Sequence, residues 1–176
     1  MLLARLGADL DTPQPQDGGS AAHVAAQLGH TQMVKLLAVL RADVHRRRPD
    51  GLIPLHDAAM KGRDAIVRLL LGLRSPVNAQ ADGQTPLWVT AFYNHSTTAA
   101  ILLESKADVD LSESHGGTPL WIASQEGALQ TARVLVEHRC SLNKPAYGDA
   151  RATPLAKALQ KNQHKVAAYL RKFGAR

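Results

Sequence analysis

The chain repeats itself at a fixed interval, and that restricts its fold more than any other feature. Gly-Gly-Ser-Ala-Ala-His from Gly18 returns as Gly-Leu-Ile-Pro-Leu-His from Gly51, Gly-Gln-Thr-Pro-Leu-Trp from Gly83 and Gly-Gly-Thr-Pro-Leu-Trp from Gly116. A fifth version, Arg-Ala-Thr-Pro-Leu-Ala, begins at Arg151. The anchors Ser20, Ile53, Thr85, Thr118 and Thr153 are 33, 32, 33 and 35 residues apart. A second landmark keeps phase with them: Ala8-Asp9-Leu10, Ala42-Asp43-Val44, Ser75-Pro76-Val77-Asn78, Ala107-Asp108-Val109-Asp110 and Cys140-Ser141-Leu142-Asn143. A constant period in this range belongs to stacked-repeat architectures, in which each unit buries its apolar face only against its neighbours.

Each copy carries signals for two helices. Thr85 and Thr118 suit helix N-caps, where a hydroxyl accepts an otherwise orphaned backbone N–H. Pro86 and Pro119 then fall at the first helical position, where a missing N–H costs little. Gly29, Gly62 and Gly127 come where this first helix must end, and Asn94 and Asn162 take the same place in the third and fifth copies. A second apolar-periodic segment follows: Val34, Leu36, Leu37 and Leu40 in one copy, Ile66, Val67, Leu69, Leu70 and Leu71 in the next, then Ile101 to Leu103 and Val134 to Val136. Each copy thus reads as helix, turn, helix and polar loop.

These residues resemble ankyrin repeats, which share the period near 33 and the Thr-Pro-Leu-His-x-Ala pattern. The resemblance implies an all-α solenoid with full copies at 17–49, 50–81, 82–114 and 115–149, and a C-terminal capping copy at 150–176. Residues 1–16, with Leu2, Leu3 and Leu6 before Gly7, resemble the second helix and loop of a partial earlier copy, as expected either of a segment from a longer array or of a degenerate capping repeat. Departures from the pattern are informative. Ile53 cannot cap, the first copy lacks the proline, and Trp88, Trp121 and Ala156 replace the histidine kept at His23 and His56. The last tip is lengthened around 144–149. In the family this histidine bonds backbone, so a structural role is expected for His23 and His56. Trp88 and Trp121 are expected to pack between copies, with their indole N–H groups needing partners.

Composition narrows the function classes. No apolar run approaches the roughly 20 residues a membrane span needs, and the first residues lack the apolar stretch of a secretory signal. With one cysteine, Cys140, among 176 residues, neither an internal disulfide nor a multi-cysteine zinc site is possible. An intracellular setting, cytoplasmic or nuclear, is expected. The other histidines show no metal-ligand spacing. No nucleophile elbow, phosphate loop, dinucleotide fingerprint or zinc-protease motif occurs. A chain with no catalytic role and no cofactor is therefore expected, with Cys140 a packed small residue and Asp57, Asp64, Arg63 and Arg68 forming a surface ion network. The net charge of +6 is uneven: residues 144–176 hold eight basic and one acidic residue, the rest 13 basic and 14 acidic.

What remains is binding. The resemblance implies a scaffold or adaptor module, monomeric as a segment, that holds a protein or peptide in a concave groove and on the hairpin tips. Carried onto this chain, the tips contribute Gln16, Asp17, Arg48, Asp50, Leu52, Asp82, Gln84, His115 and Tyr147 to Arg151. The exposed side of the first helices contributes Asp57, Met60, Lys61, Val89, Phe92, Tyr93, Ile122, Gln125, Glu126, Lys157, Gln160 and Lys161. Phe92 and Tyr93 are the expected hot spot, because aromatic residues are only 4% of the chain and such anchors dominate interfaces; the alternative for Phe92 is packing against its neighbours. Arg46-Arg47-Arg48 reads as either a solvated tip or a grip for an acidic group. Further alternatives are a regulatory or targeting segment of a larger enzyme, a recognition arm of a ubiquitin-ligase adaptor, and an anion or nucleic-acid site on the basic last copy. Nucleic acid is disfavoured because no interleaved aromatics accompany the charge.

Overall fold

The computed structural model of the chain describes residues 9–14 and 17–176. Among these, ten helices follow in five pairs. They are α1 (Ala21–Leu28) with α2 (Thr31–Val39), α3 (Pro54–Met60) with α4 (Asp64–Gly72), α5 (Pro86–Phe92) with α6 (Ser96–Glu104), α7 (Pro119–Glu126) with α8 (Leu129–Glu137), and α9 (Pro154–Gln160) with α10 (His164–Lys172). The described residues contain no β-strand, only an isolated bridge between Ala81 and Gln84. The all-α solenoid expected from the repeats is the fold observed. The partial copy's helix, placed on residues before Asp9, and the tip residue Gln16 lie outside the described residues.

Each first helix starts as its sequence dictates. The Thr85, Thr118 and Thr153 hydroxyls accept the backbone N–H groups of Trp88, Trp121 and Ala156 at 3.1, 3.1 and 3.2 Å. Ile53 has no oxygen to offer, and there the imidazole reaches back instead: His56 Nδ1 accepts the Ile53 N–H at 3.3 Å. His23 does the same for the Ser20 N–H at 3.1 Å. Each first helix turns into its second through a left-handed residue: Gly29, Gly62, Asn94, Gly127 and Asn162 have φ of 86, 60, 58, 71 and 58°. Asparagine serves in place of glycine because its short polar side chain tolerates that region.

The pairs stack into two layers. α1, α3, α5, α7 and α9 form one row, each packed on the next, and α2, α4, α6, α8 and α10 form the other. The first row packs the more closely because Ala25, Ala58, Ala123 and Ala158 are fully or almost fully buried there and hold the helices apart by no more than a methyl. Thr90 takes the corresponding place in α5, and its buried hydroxyl donates to the Leu87 carbonyl at 2.7 Å. One apolar core runs the length of the stack through Leu37, Leu55, Leu70, Leu87, Leu102, Leu120, Leu135, Leu155 and Leu170. Burying such side chains stabilises by roughly 1.5–3 kcal/mol each, and here each burial needs a neighbouring pair.

The polar loops after the second helices are latched to one another. Both Asp11 carboxylate oxygens accept the Asp43 N–H (2.9 and 3.1 Å), Asn78 Oδ1 accepts the Asp108 N–H (2.9 Å), and Asp110 accepts the Ser141 N–H (2.9 and 3.0 Å). Asn143 Oδ1 accepts the Arg176 N–H at 2.7 Å. The latch after the second copy is different. Proline at position 76 has no N–H to give, and the residue facing it is His45, which bonds the Ser75 hydroxyl and the Leu73 carbonyl at 2.6 and 3.0 Å. The histidine and the proline are one structural substitution made in two places.

Candidate interaction surface

The three residues after each helix anchor lead to a ring slot: His23, His56, Trp88, Trp121 and, in the last copy, Ala156. Its occupants tie neighbouring copies together. His23 Nε2 bonds the Leu52 carbonyl at 3.2 Å, and His56 Nε2 lies 3.1 and 3.2 Å from the Ala79 and Gln84 carbonyls. Because Nδ1 of each ring accepts a backbone N–H, Nε2 carries the proton and donates. Burial lowers the pKa of both, His56 to about 4, so both rings are neutral at physiological pH. Trp121 Nε1 donates to the Ala152 carbonyl at 3.0 Å. The buried Trp88 Nε1 has no hydrogen-bond partner. Both indoles are buried, and Trp121 ties to the next copy as expected and obtains the partner it needs.

One residue further on, three positions expected on the exposed side are buried: Asp57, Val89 and Ile122 are 2%, 3% and 3% exposed. This corrects their assignment as partner contacts. They fall in the middle turn of short helices whose neighbours approach to alanine-limited distance, so the flanking helices cover them. Asp57 also leaves the expected surface ion network. Its Oδ1 is 3.4 Å from Arg48 Nη2, while Arg68 pairs with Glu104 at 3.6 Å and Asp64 accepts the Thr98 hydroxyl. Burial pushes the Asp57 carboxyl up to about 7, against the opposing pull of Arg48.

Arg48 itself is largely buried, its guanidinium shared among Asp17 (3.1 Å), Asp50 (3.4 Å) and Asp57. Arg47 donates to the Gly51 and Gln80 carbonyls at 2.8 and 2.9 Å, tying two tips. The arginine run is therefore committed within the protein at two of its three residues and is not an open grip for an anion. Asp50 remains exposed while its Oδ1 accepts the Leu52 N–H at 3.0 Å, and Leu52 and Gln84 are half-buried with their carbonyls holding the imidazoles. Asp82 is exposed at a tip whose next residue, Gly83, has φ of 78°. A Cβ on Gly83 would collide with the Ser114 backbone nitrogen and lie 2.9 Å from the Glu113 carbonyl carbon, so this tip approaches the next one by virtue of the missing side chain.

The far ends of the first helices are different. Met60-Lys61, Phe92-Tyr93, Gln125-Glu126 and Gln160-Lys161 occupy equivalent places on α3, α5, α7 and α9. Met60 and Gln125 are half-buried and the other six exposed. Phe92 and Tyr93 remain 37% and 47% exposed. Phe92 stacks on Trp88 (centroids 5.8 Å apart) and meets Tyr93 edge-on at 4.9 Å, and Tyr93 stacks on His95 at 6.3 Å. Packing on Trp88 and exposure to solvent hold for Phe92 at once.

At the other end of the row, an open cleft of about 450 Å³ is lined by Trp121, Tyr147, Asp149, Arg151, Ala152, Ala156, Lys157 and Gln160. Lys157 Nζ stands 4.5 Å from the Trp121 ring centroid, and Tyr147, 58% exposed, meets the same ring edge-on at 5.4 Å. Tyr147 also stacks on the exposed His115 at 5.8 Å, and the Tyr147 N–H donates to the His115 carbonyl at 2.6 Å. The sequence signals for this cleft are Ala156 in the ring slot and the lengthened tip before it. Each was visible alone; that they open one space beside Trp121 was not.

Two further observations bear on chemistry. Cys140 is buried, and burial pushes its thiol up to about 12, so it is protonated at neutral pH. No group of three or more potential metal ligands occurs among the described residues, and no helix there is long and apolar enough to cross a membrane. A family model described as "Ankyrin repeats (3 copies)" matches residues 1–81 and, in a second placement, residues 73–146. No curated protein matches the chain.

Proposed function

Because the chain belongs to the ankyrin repeat family, whose members generally serve as protein–protein interaction modules, we propose that it is a non-catalytic binding module. Its partner, a protein or peptide, runs along the far ends of the first helices and the hairpin tips. The observation that carries this reading is the pair Phe92 and Tyr93, two large aromatic side chains left substantially exposed on a rigid helix end. They lie in register with Met60-Lys61 on one side and Gln125-Glu126 on the other. Burying such an aromatic pair at an interface centre is worth about 2 kcal/mol or more per hot-spot residue, and the stacked core behind them keeps the ordering cost of binding low. Asp82, His115 and Tyr147 extend the same surface onto the tips.

The test is affinity capture with the wild-type chain and with Phe92→Ala and Tyr93→Ala, each checked for retained helicity. A partner recovered by the wild type and lost by both variants is the expected result. A partner retained by both variants, or none above background with the wild type, overturns the reading.

A further inference from the structure

The last two copies carry a more specific site. Four of the five ring slots are filled by an imidazole or an indole, and the fifth holds Ala156. The preceding interval is 35 residues where the others are 32 or 33, so the last tip carries additional chain. The small side chain of Ala156 and the longer tip both line the cleft beside Trp121. Its floor is apolar: the Trp121 ring, with Lys157 Nζ 4.5 Å from its centroid, and the side chains of Ala152, Ala156 and Tyr147. Its polar side is basic. Arg151 and Lys157 line it, and neither has a carboxylate within ion-pair distance among the described residues. Lys157 donates only to Gln160 Oε1, at 3.2 Å. The surrounding segment, 144–176, has eight basic residues against one acidic residue.

We propose that this cleft docks an acidic linear segment of a partner protein, with one apolar side chain against Trp121 and Ala156 and flanking carboxylates on Arg151 and Lys157. The proposal rests on the reading of the chain as a protein-binding module and names the chemistry of its partner. Charge complementarity selects the occupant: two cations without an ion-paired carboxylate, one of them resting over the indole, beside an apolar floor favour carboxylates joined to a hydrophobic anchor. A polynucleotide fits less well. The cleft has room for a side chain and not for a row of phosphates, and the Asp149 carboxylate lines it too. Trp121 is already held by the Ala152 carbonyl, so the floor is set before anything binds.

The test pans a phage-displayed random-peptide library against the full chain, then measures the best enriched peptide by fluorescence anisotropy. Net acidic sequences with a recurrent apolar residue are expected. Their affinity should fall about tenfold in Arg151→Gln and in Lys157→Gln, the loss of one charge-assisted contact. Ala156→His, which fills the cleft, should abolish saturable binding without lowering the melting temperature, and Lys172→Gln should change nothing. No enrichment, enrichment of neutral or basic peptides, or affinity indifferent to all three cleft variants overturns the proposal. So does tighter binding of a single-stranded oligonucleotide of equal charge that the same variants weaken. Peptides that ignore the cleft variants but are lost in Phe92→Ala and Tyr93→Ala would refute the cleft and leave the binding-module reading standing.

Discussion

The second copy and the last share the Pro-Leu start of the first helix and end in opposite states. In the second, His56 fills the ring slot, caps its own helix and holds the next copy's carbonyls, while Arg48 gathers three carboxylates over the helix it precedes. His56 and Asp57 are both turned inward there. In the last, Ala156 leaves the slot empty, the hydroxyl of Thr153 makes the cap, and Arg151 and Lys157 face a cleft. The backbone motif is common to both. Each slot residue reaches forward to the following copy, so Trp121 still ties the junction beside the cleft, while Ala156 offers no such tie beyond the last copy.

The largest test of this contrast is His56→Ala. It leaves the Ile53 N–H and the Ala79 carbonyl without their imidazole partner beside a new cavity, while the Gln84 carbonyl keeps the Ala81 N–H, and should cost about 3 kcal/mol in urea unfolding. Gly83→Ala follows, at roughly 2 kcal/mol. It forces a side chain onto a left-handed backbone and against the neighbouring tip, and a melting temperature equal to wild type would refute the close approach of those tips.

The third test concerns pH. The Asp57 carboxyl titrates at about 7 in the fold, raised from 3.8, so between those values the folded chain holds a proton the unfolded chain has lost. This group's contribution to stability therefore declines as pH rises from about 4 to 7. His56, lowered from 6.5 to about 4, acts oppositely: its contribution is present above 6.5 and is lost as pH falls toward 4. Measured against wild type, Asp57→Asn should accordingly gain stability between pH 5 and pH 8, by on the order of 1–2 kcal/mol. A difference independent of pH would show that Asp57 titrates normally. The smallest effect separates the two indoles. Trp121→Phe removes a made hydrogen bond and should cost about 1 kcal/mol, whereas Trp88→Phe removes an unpartnered buried donor and should cost less or stabilise.

Much of the fold was legible because the signals act locally. Threonine before proline specifies a helix start, and glycine or asparagine specifies its end, whatever surrounds them. The imidazole at Ile53 was the exception: a helix with no capping oxygen is rescued by a residue one turn ahead, which spacing alone does not reveal. The site was less legible. Phe92 and Tyr93 are exposed where expected, but Asp57, Val89 and Ile122 are covered by neighbouring helices, since burial in a stack depends on how closely copies approach. The arginine run looked available until carboxylates from two other parts of the chain were found around Arg48.

The loop latches carry a consequence for the protein's chemical ageing. Asn78 and Asn143 hold the next loop through the side-chain oxygen alone, and aspartate already performs that task at positions 11 and 110. Deamidation at either asparagine to aspartate would exchange one acceptor oxygen for another. The molecule would grow more acidic with time there while its copies stayed clasped.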